Sequence, residues 1–501
     1  PERALTPGFQ SIAERINVAA IVIDEAHCVS HWGHDFRPEY RQLAALKEHL
    51  PRAGVHAYTA TATQRVRADI AEQLHLRDPV TLVGKFDRPN LTYRIVPRVD
   101  VHAQVRKVIR RHHEEAVIVY CLSRKDSENM AEALRACDIN AEAYHAGFSA
   151  ERRRRTQDAF ANESLDVVTA TVAFGMGIDR SNVRCIIHAT MPKSVEHYQQ
   201  ETGRAGRDGL EAECVLLYSF ADVMRWESLI RKSAEEASDP AQIIEAKMDL
   251  LWQMKRFCST VHCRHRALSE YFGQTYPEAG CKACDVCLNE TEGIEDATVA
   301  ARKILSCVAR VGESFGVMHV ADVLAGADTE RIQRCGHDQL STYGLLKGTP
   351  RKTLTNWIFQ LVDQGLLERT ADDRPVLRLN EASWDVMGGG RSVKLMMPRA
   401  KPVTKTRSEV ESWEGVDRGL FEHLRQVRRG IARQRGVPAF VIFGDATLRD
   451  MARRRPGSVP AFRSLYGVGD AKLTQFGSRF IGEITAYCRD HKLPIDSDGV
   501  P

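Results

Sequence analysis

The chain has 501 residues, of which 43% are hydrophobic, and its formal net charge is +4. This length predicts about three or four domains, and the composition is ordinary for soluble globular proteins. The small net charge indicates no partner by itself, and without a run of about 18 apolar residues we expect no membrane span. The chain has 13 cysteines, mostly single within apolar stretches, which favours buried thiols in a reducing compartment over a disulfide scaffold.

Residues 1–220 alternate between short apolar runs and helical patterns. The alternation predicts βαβ units around a parallel sheet, and runs this apolar predict strands without a solvated face. The predicted strands are Ala19–Ile23, Val55–Tyr58, Ala116–Cys121, Ala141–Tyr144, Asp166–Thr169, Arg184–His188 and Glu213–Tyr218.

The first predicted strand ends in two carboxylates, in the string Ile21-Val-Ile-Asp-Glu-Ala-His27. Open α/β sheets bind ligands at the carboxyl ends of their strands. There Asp24 can hold Mg²⁺ directly or through water, because Mg²⁺ takes few protein ligands and shares its shell with phosphates. Glu25 can orient or deprotonate a water that attacks a γ-phosphate. The alternative is a strand end with two solvated acids.

With the aromatic-rich string Cys28-Val-Ser-His-Trp-Gly-His-Asp-Phe-Arg-Pro38, this stretch resembles the Walker B motif and following loop of the RecQ family of DNA helicases. The resemblance implies RecA-like motor lobes that use ATP with Mg²⁺, in which His27 couples phosphate sensing to the DNA side. It also implies that Trp32, Phe36 and Arg37 form a loop that senses single-stranded DNA. Stacking of an aromatic ring on a base is worth about 1–3 kcal/mol. For Trp32, packing in the core is the alternative.

Three further strings resemble helicase features. Thr59-Ala-Thr-Ala-Thr63 matches motif III, Phe86-Asp-Arg-Pro-Asn-Leu91 is interpreted as the hinge between the lobes, and Thr169-Ala-Thr-Val-Ala-Phe-Gly-Met-Gly-Ile-Asp179 looks like motif V. Glycines permit close approach of backbone to a ligand. The resemblance to motif V implies that Gly177 and Asp179 contact the nucleotide or couple it to DNA, although Asn is expected in this family where Asp179 stands.

Gln199-Gln-Glu-Thr-Gly-Arg-Ala-Gly-Arg-Asp-Gly209 is the most specific string in the chain and resembles motif VI. Two arginines three residues apart can reach one anion together, and an arginine placed on a γ-phosphate is worth roughly 10³–10⁵ in rate. By this resemblance Arg207 is the arginine finger, Arg204 contacts phosphate or bridges the lobes, and Gln200 belongs to the nucleotide site. The alternative is a surface arginine pair.

The sequence also departs from the family pattern. A helicase of this kind cradles phosphates with Gly-x-x-x-x-Gly-Lys-Ser/Thr, and no such string occurs in the chain. Because the Asp24 motif comes so early, we expect a helicase truncated at its amino terminus, as a fragment or a late-start gene model. We expect ATP hydrolysis by this polypeptide alone to be impaired.

After a helical stretch at 221–257, four cysteines follow with the spacing Cys263-x₁₇-Cys281-x₂-Cys284-x₂-Cys287. Four thiolates suit a closed tetrahedral Zn²⁺ site. A [4Fe–4S] cluster is the alternative, because it also takes four cysteines. The string Cys263-Arg-His-Arg-Ala-Leu-Ser-Glu-Tyr-Phe-Gly273 resembles the RecQ zinc module, which favours structural zinc.

Residues 294–400 show three helical patterns and a strand pair, which predict a winged helix. The helices are expected at Ala300–Val311, Gly316–Leu324 and Leu354–Asp363, and the strands at Leu366–Arg369 and Val376–Leu379, joined by a turn at Asp372-Asp373. Lys347, Arg351 and Lys352 precede the expected recognition helix and can grip DNA phosphates. The alternative is a structural or protein-docking domain.

The last helical region closely resembles the HRDC domain, a helical accessory module for single-stranded or structured DNA. Its candidate DNA contacts are Arg425, Arg428, Arg429, Arg453 and Lys472, although solvated surface arginines are the alternative for each.

The resemblance covers essentially the whole chain and implies a multidomain fold: α/β RecA-like motor lobes, the first partial, a helical zinc-binding module, a winged helix and an all-α HRDC domain. The predicted boundaries are 1–83 and 84–220 for the two lobes, 221–290 for the zinc module, 294–400 for the winged helix, 401–415 for a linker and 416–493 for the HRDC domain.

The implied complete protein is an ATP-driven 3′-to-5′ DNA helicase of recombination and repair. We expect a monomer in the bacterial cytoplasm, associated with the nucleoid, that binds single-stranded and forked DNA. A single-stranded-DNA-binding protein is a candidate partner of the winged helix. One alternative is a DNA-binding remnant without motor activity. A weaker one is a sequence-specific regulator.

Overall fold

The computed structural model describes residues 1–172, 174, 180–234, 240–260, 262–277, 280–294, 296–370, 375–398 and 412–496. The predicted motif V residues Gly177 and Asp179, the Asp372-Asp373 turn and most of the predicted linker lie outside these residues. Among the described helices, none combines the length and the apolar character that a bilayer crossing needs.

The first lobe, residues 1–83, contains two parallel strands, β1 (Ala20–Ile23) and β2 (Gly54–Ala57). Its α-helices are α1 (Pro7–Arg15), α2 (Pro38–Arg41), α3 (Leu46–His49) and α4 (Gln64–Gln73). The expectation that these strands lack a solvated face is wrong, because Val22 is 62% exposed. The apolar cluster of this lobe covers the strands incompletely among the described residues.

The second lobe, residues 84–220, is built on a six-stranded, wholly parallel sheet in the order β3-β8-β7-β4-β6-β5. Its strands are β3 (Leu91–Pro97), β4 (Ala116–Tyr120), β5 (Ala141–Tyr144), β6 (Val167–Ala170), β7 (Val183–His188) and β8 (Ala212–Tyr218). Every residue of β4 and β7 is buried, as the apolar runs predicted. The sheet adds one strand, β3, that the sequence analysis did not identify.

Four helices cover this sheet, and each begins at a polar side chain that accepts a hydrogen bond from a backbone N–H of the first turn. Such caps satisfy a donor that the helix itself cannot. The helices are α5 (Val101–Ile109, capped by Asp100), α6 (Arg124–Arg135, by Ser123), α7 (Ala150–Ala161, by Ser149) and α8 (Val195–Thr202, by Ser194).

The region predicted as helical at 221–257 contains two helices, α9 (Phe220–Ala234) and α10 (Pro240–Ser259). Proline is well tolerated in the first turn of a helix, where its missing N–H costs no intrahelical bond. Helix α11 (Arg264–Tyr271) then begins directly after Cys263. The apolar side chains of these helices join the core beneath the second lobe, so that the two regions share one hydrophobic cluster.

The winged-helix region has its own core. Its elements are β9 (Thr291–Gly293), α12 (Ala297–Arg310), α13 (Val317–Ala325), α14 (Glu330–Arg334), α15 (Arg351–Asp363), β10 (Glu368–Arg369), β11 (Leu377–Arg378), α16 (Glu381–Gly388) and β12 (Met396–Pro398). Helix α15 begins earlier than predicted, since Pro350 serves as its cap, so that Arg351 and Lys352 lie inside its first turn.

The last region contains α17 (Arg418–Arg435), α18 (Ala439–Ile442), α19 (Asp445–Arg454), α20 (Val459–Arg463) and α21 (Asp470–His491). They enclose a third core with aromatic residues at its centre. Helices α17 and α19 also contact the second lobe through charged side chains. The predicted fold class is thus confirmed: parallel α/β architecture, a cysteine module, a winged helix and a separate all-helical domain.

Candidate functional site

Asp24 and Glu25 directly follow β1, where the backbone turns sharply. Glu25 has φ 50° and ψ 40°, in the left-handed region that non-glycine residues seldom adopt. Its N–H donates to Asp24 Oδ1 at 2.8 Å. Strained conformations of this kind concentrate at functional sites, where surrounding contacts hold them in place.

His27 connects Glu25 to the predicted motif III. Its Nδ1 lies 3.3 Å from Glu25 Oε2 and 3.0 Å from Thr59 Oγ1. The hydrogen bond to His27 lowers the pKa of Glu25, an effect that outweighs partial burial and is reinforced by the charge of Arg204. Glu25 is therefore an anion at neutral pH, the form that can orient a water or accept its proton.

Helix α8 of the second lobe lies against this carboxylate. Gln200 Nε2 donates to Glu25 Oε1 at 3.5 Å, and Arg204 acts on the pKa of Glu25 through space. The rings of His34 and His197 also meet across the lobes, with centroids 4.5 Å apart. The structure thus brings the predicted residues Glu25, His27, Gln200 and Arg204 into one cleft between the lobes.

Arg207 lies beyond the end of α8 and is exposed. Its charge and that of Arg204 oppose the rise that burial causes in the pKa of Tyr120, at the carboxyl end of β4. Both arginines are therefore near Tyr120, which is the last residue of β4. The assignment of Arg207 as the arginine finger remains a prediction.

The arginine loop is held by contacts that no sequence motif indicated. Gly206 has φ +55°, and a Cβ there would lie 2.5 Å from Asn90 Nδ2 and 2.6 Å from Leu210 O. Arg88 and Asn90 donate to Gly206 O at 2.8 and 3.0 Å. These donors belong to the string assigned as a hinge, so its polar residues were a signal for a loop anchor as well.

A nucleotide with Mg²⁺ fits this cleft only in part. The Asp24 carboxylate is exposed, and the backbone hydrogen bond from Glu25 uses only its Oδ1 atom. The Oδ2 atom suits a hard cation such as Mg²⁺, which prefers oxygen ligands. The sequence, however, has no phosphate-cradling loop. The chain thus offers the two carboxylates predicted to act on the nucleotide, but its sequence has no string for the backbone nest that holds the phosphates of ATP.

The aromatic-rich loop is held by local partners. Trp32 is half-buried in the core of the first lobe, and the Arg65 guanidinium lies 3.2 Å from its ring centroid. Phe36 packs against His31 with centroids 3.9 Å apart, and Arg37 pairs with Asp35 at 2.9 Å. Core packing and a DNA role are both compatible with this arrangement, so the predicted DNA contacts of Trp32, Phe36 and Arg37 stay predictions.

The four cysteines predicted as ligands converge. The sulfurs of Cys263, Cys281, Cys284 and Cys287 all lie within 4.8 Å of one another. Four sulfurs around one Zn²⁺ at about 2.3 Å would be roughly 3.8 Å apart, so the set needs little adjustment. Gly280 permits the close approach, because a Cβ there would lie 3.2 Å from Cys287 Sγ.

A buried ion pair braces the cysteine module against the second lobe. Arg264 Nε donates to Asp285 Oδ1 at 2.9 Å, and Asp285 Oδ2 accepts from the Ile95 N–H at 3.1 Å. Tyr93 N donates to Ala283 O at 3.1 Å, so the cysteine loop continues the sheet beyond its edge strand β3. Support of this kind orients metal ligands.

A second group of metal-ligand types, His112, Cys185 and Glu213, is also close together. Glu213 is already paired with Arg94 at 2.9 Å and Arg111 at 2.7 Å, and His112 Nε2 lies 2.7 Å from its other oxygen. With two guanidinium groups on the carboxylate, we interpret this group as a structural ion-pair network.

The winged-helix cations differ in their surroundings. Arg351 pairs with Asp322 at 2.5 Å, and Lys352 Nζ donates to Val99 O of the second lobe at 3.4 Å. Lys347 is exposed. Helix α15 also stacks Phe359 on Phe220 with centroids 4.0 Å apart. Part of the predicted recognition helix is therefore a docking face toward the motor.

Comparison with protein families divides the chain in the same order. Residues 100–209 match the helicase conserved C-terminal domain, 220–288 the RecQ zinc-binding family, 291–404 the RQC domain and 417–484 the HRDC domain. The match at 220–288 covers the four-cysteine cluster, which assigns it to structural zinc.

Relatives match over nearly the whole chain. ATP-dependent DNA helicase RecQ of Pasteurella multocida is 37% identical over 99% of this chain and 78% of its own length. The protein of the same name from Bacillus subtilis is 39% identical over 98% of this chain and 80% of its own length. ATP-dependent DNA helicase Q-like 4B of Arabidopsis thaliana is 32% identical over 96% of this chain and 46% of its own length. The chain therefore belongs to the RecQ family of ATP-dependent DNA helicases.

Proposed function

We propose that this chain is the motor polypeptide of an ATP-driven DNA helicase of recombination and repair, which moves 3′ to 5′ along DNA. The observation that carries this proposal is the cleft in which Glu25 of the first lobe meets Gln200 and Arg204 of the second. Closure of such a cleft around a nucleotide links hydrolysis to relative movement of two lobes.

Each residue has a defined task in this proposal. Asp24 places Mg²⁺, which supplies charge stabilisation at the phosphates when bound. Glu25 orients the attacking water, and its pKa, lowered by the hydrogen bond to His27, keeps the carboxylate ionised. His27 bridges Glu25 and Thr59, so a change at the phosphates reaches a second segment of the first lobe. Arg207 stabilises the charge that develops on the γ-phosphate.

We propose that the 501-residue polypeptide by itself hydrolyses ATP weakly if at all, since its sequence has no phosphate loop. A specific second candidate follows from the same observation: a DNA-binding protein without motor activity. That protein would use the zinc module, the winged helix and the HRDC domain. Both candidates bind DNA, so DNA binding is the first property to test.

The test is equilibrium binding of the purified chain to a forked duplex, a blunt duplex of the same sequence and a scrambled fork, over a series of salt concentrations. We expect preference for the forks, equal affinity for both fork sequences, and affinity that falls with salt as phosphate contacts release counterions. If unwinding is detected, we expect it from 3′-tailed substrates. A preference for one base sequence would favour a sequence-specific regulator, and no DNA binding would contradict both candidates.

For the cell, we propose a monomer in the bacterial cytoplasm, associated with the nucleoid. Helix α15 already contacts the motor, which leaves the rest of the winged helix for partners. A single-stranded-DNA-binding protein is the partner we propose there. Mass measurement of the purified chain tests the first proposal, and titration with that protein tests the second.

A further inference from the structure

The HRDC domain covers the edge of the second-lobe sheet that is opposite the nucleotide cleft. Its partners on the lobe lie where strands begin: Glu114 precedes β4, Asn182 precedes β7 and Glu211 precedes β8. Parallel strands share one amino-terminal edge, and ligand sites of such sheets lie at the other. The contact therefore leaves the cleft with Glu25 uncovered.

A fully buried arginine lies at the centre of this contact. Arg428 of α17 is 0% exposed and donates to Glu163 Oε1 of the lobe and to Asp445 Oδ1 of its own domain, each at 2.8 Å. Arg429 donates to the other oxygen of Glu163 at 3.0 Å. A buried guanidinium is strongly destabilising without its partners, so these carboxylates are required where they are.

Each side of the contact contributes both acidic and basic groups. The HRDC domain supplies the Asp445 carboxylate, whose Oδ2 accepts from Asn182 at 3.2 Å and from Arg184 of the lobe at 3.4 Å. The lobe in turn supplies Glu163 to two HRDC arginines. A surface that carries both signs on each side fits one complementary protein face better than it fits a uniformly negative polymer.

Two further pairs flank the centre. Arg425 Nη2 donates to the Glu114 carbonyl at 3.0 Å and pairs with its carboxylate at 3.2 Å. Arg449 Nη1 pairs with Glu211 Oε1 at 2.8 Å. The two HRDC arginines are nearly inaccessible, whereas the carboxylate of Glu114 is 53% exposed at the rim. The prediction that these arginines are solvated is therefore wrong for Arg425 and Arg428, and DNA contact by either residue stays a prediction.

We propose that the HRDC domain is docked on the amino-terminal edge of the second lobe by these ion pairs, in which each side supplies both acidic and basic groups. We propose further that the domain moves with that lobe. The docking surface consists of Glu114, Glu163, Asn182, Arg184 and Glu211 on the lobe, and of Arg425, Arg428, Arg429, Asp445 and Arg449 on the HRDC domain. We expect DNA not to displace the docked arginines, because they are buried and already paired with carboxylates: Arg428 with Glu163 and Asp445, and Arg449 with Glu211. The inference does not depend on whether the polypeptide hydrolyses ATP.

The test uses the intact chain with two genetically encoded fluorophores, at exposed Lys125 of α6 and exposed Arg433 of α17. Single-molecule energy transfer should show one narrow population that persists with saturating single-stranded oligonucleotide. The double substitution Glu163→Arg and Glu211→Arg changes only the lobe, and we expect it to abolish that population. The matched control is Glu132→Arg with Glu151→Arg, two exposed lobe acids outside the docking surface, which should retain it.

Three results would overturn the proposal: a broad distribution in the unmodified chain, loss of the narrow population on adding oligonucleotide, or its persistence in the docking-surface variant. Zinc content and circular dichroism show whether that variant is folded. If that variant does not fold, the ion pair between Glu114 and Arg425 at the rim provides the test. Glu114→Arg should reduce the docked population, and adding Arg425→Glu should restore it. Absence of that rescue would contradict docking through these pairs.

Discussion

Glu25 illustrates how much of this protein depends on single side chains held by distant segments. Its carboxylate contacts His27, from its own loop, and Gln200, from the other lobe, while its backbone stays in the left-handed region. The sequence string predicted a catalytic role for this residue, and that role stays a prediction. It could not show that the charge of Arg204 acts on Glu25, because that depends on how the two lobes meet.

The zinc centre gives a prediction for one residue. Cys284 is 0% exposed and lies at the junction with the sheet, so Cys284→Ser should abolish zinc binding and unfold the module. Structural zinc supplies roughly 10–16 kcal/mol in small modules, so the loss should be large. Metal analysis and thermal unfolding measure it. Cys335→Ser, at an exposed cysteine outside the cluster, is the control and should retain zinc; equal loss in both would contradict the assignment.

At the scale of elements, the apolar runs predicted strands well wherever both faces of the sheet are covered. Strand β3 was not predicted because it contains Arg94, and arginine is usually found at the solvated surface. The strand has the sequence Leu91-Thr-Tyr-Arg-Ile-Val-Pro97. In the structure Arg94 is buried between Glu213 and Glu290 at 2.9 and 2.7 Å. Only the fold supplies those carboxylates, one from β8 and one from the segment after the cysteines, so no local pattern reveals them.

The edge of the second sheet provides an element-scale prediction. The N–H groups of Tyr93 and Ile95 donate to Ala283 O and Asp285 Oδ2 of the cysteine module. Removal of zinc by a chelator should therefore speed hydrogen exchange at β3, because local opening frees these donors. Amides of the central strand β4 should keep their protection. Equal acceleration in both strands would indicate global unfolding, and no change in β3 would show that the module is not needed at this edge.

At the scale of the whole molecule, docking of the HRDC domain was not predictable. The arginines of α17 follow the helical period and resemble a solvated face, and their partners lie more than 200 residues away in sequence. By contrast, four modules in this order could be inferred from the motifs, because each module carries its own local pattern.

The docking surface should depend on pH in a defined direction. Burial raises the pKa of Glu163 and of Asp445, but facing arginines outweigh burial and hold both values below the ordinary range: Arg428, Arg180 and Arg429 around Glu163, Arg428 and Arg184 around Asp445. Carboxyls with lowered pKa contribute stability above their ordinary values, about 4, and lose it as pH falls through the lowered ones. The docked population should therefore be constant from pH 7 to 5 and decline only below about 4. Release between pH 7 and 5 would contradict this.

The central claim is that this polypeptide has a RecQ-type cleft that contains Glu25, the proposed catalytic carboxylate, but has no loop to hold the phosphates of ATP. The most direct test is ATP turnover of the purified 501-residue chain on forked DNA that it binds, beside its Glu25→Gln variant. We predict that both bind the fork equally and that turnover of the two is indistinguishable. DNA-stimulated turnover that disappears in Glu25→Gln would contradict the account, because it would show that these residues hold and hydrolyse ATP unaided.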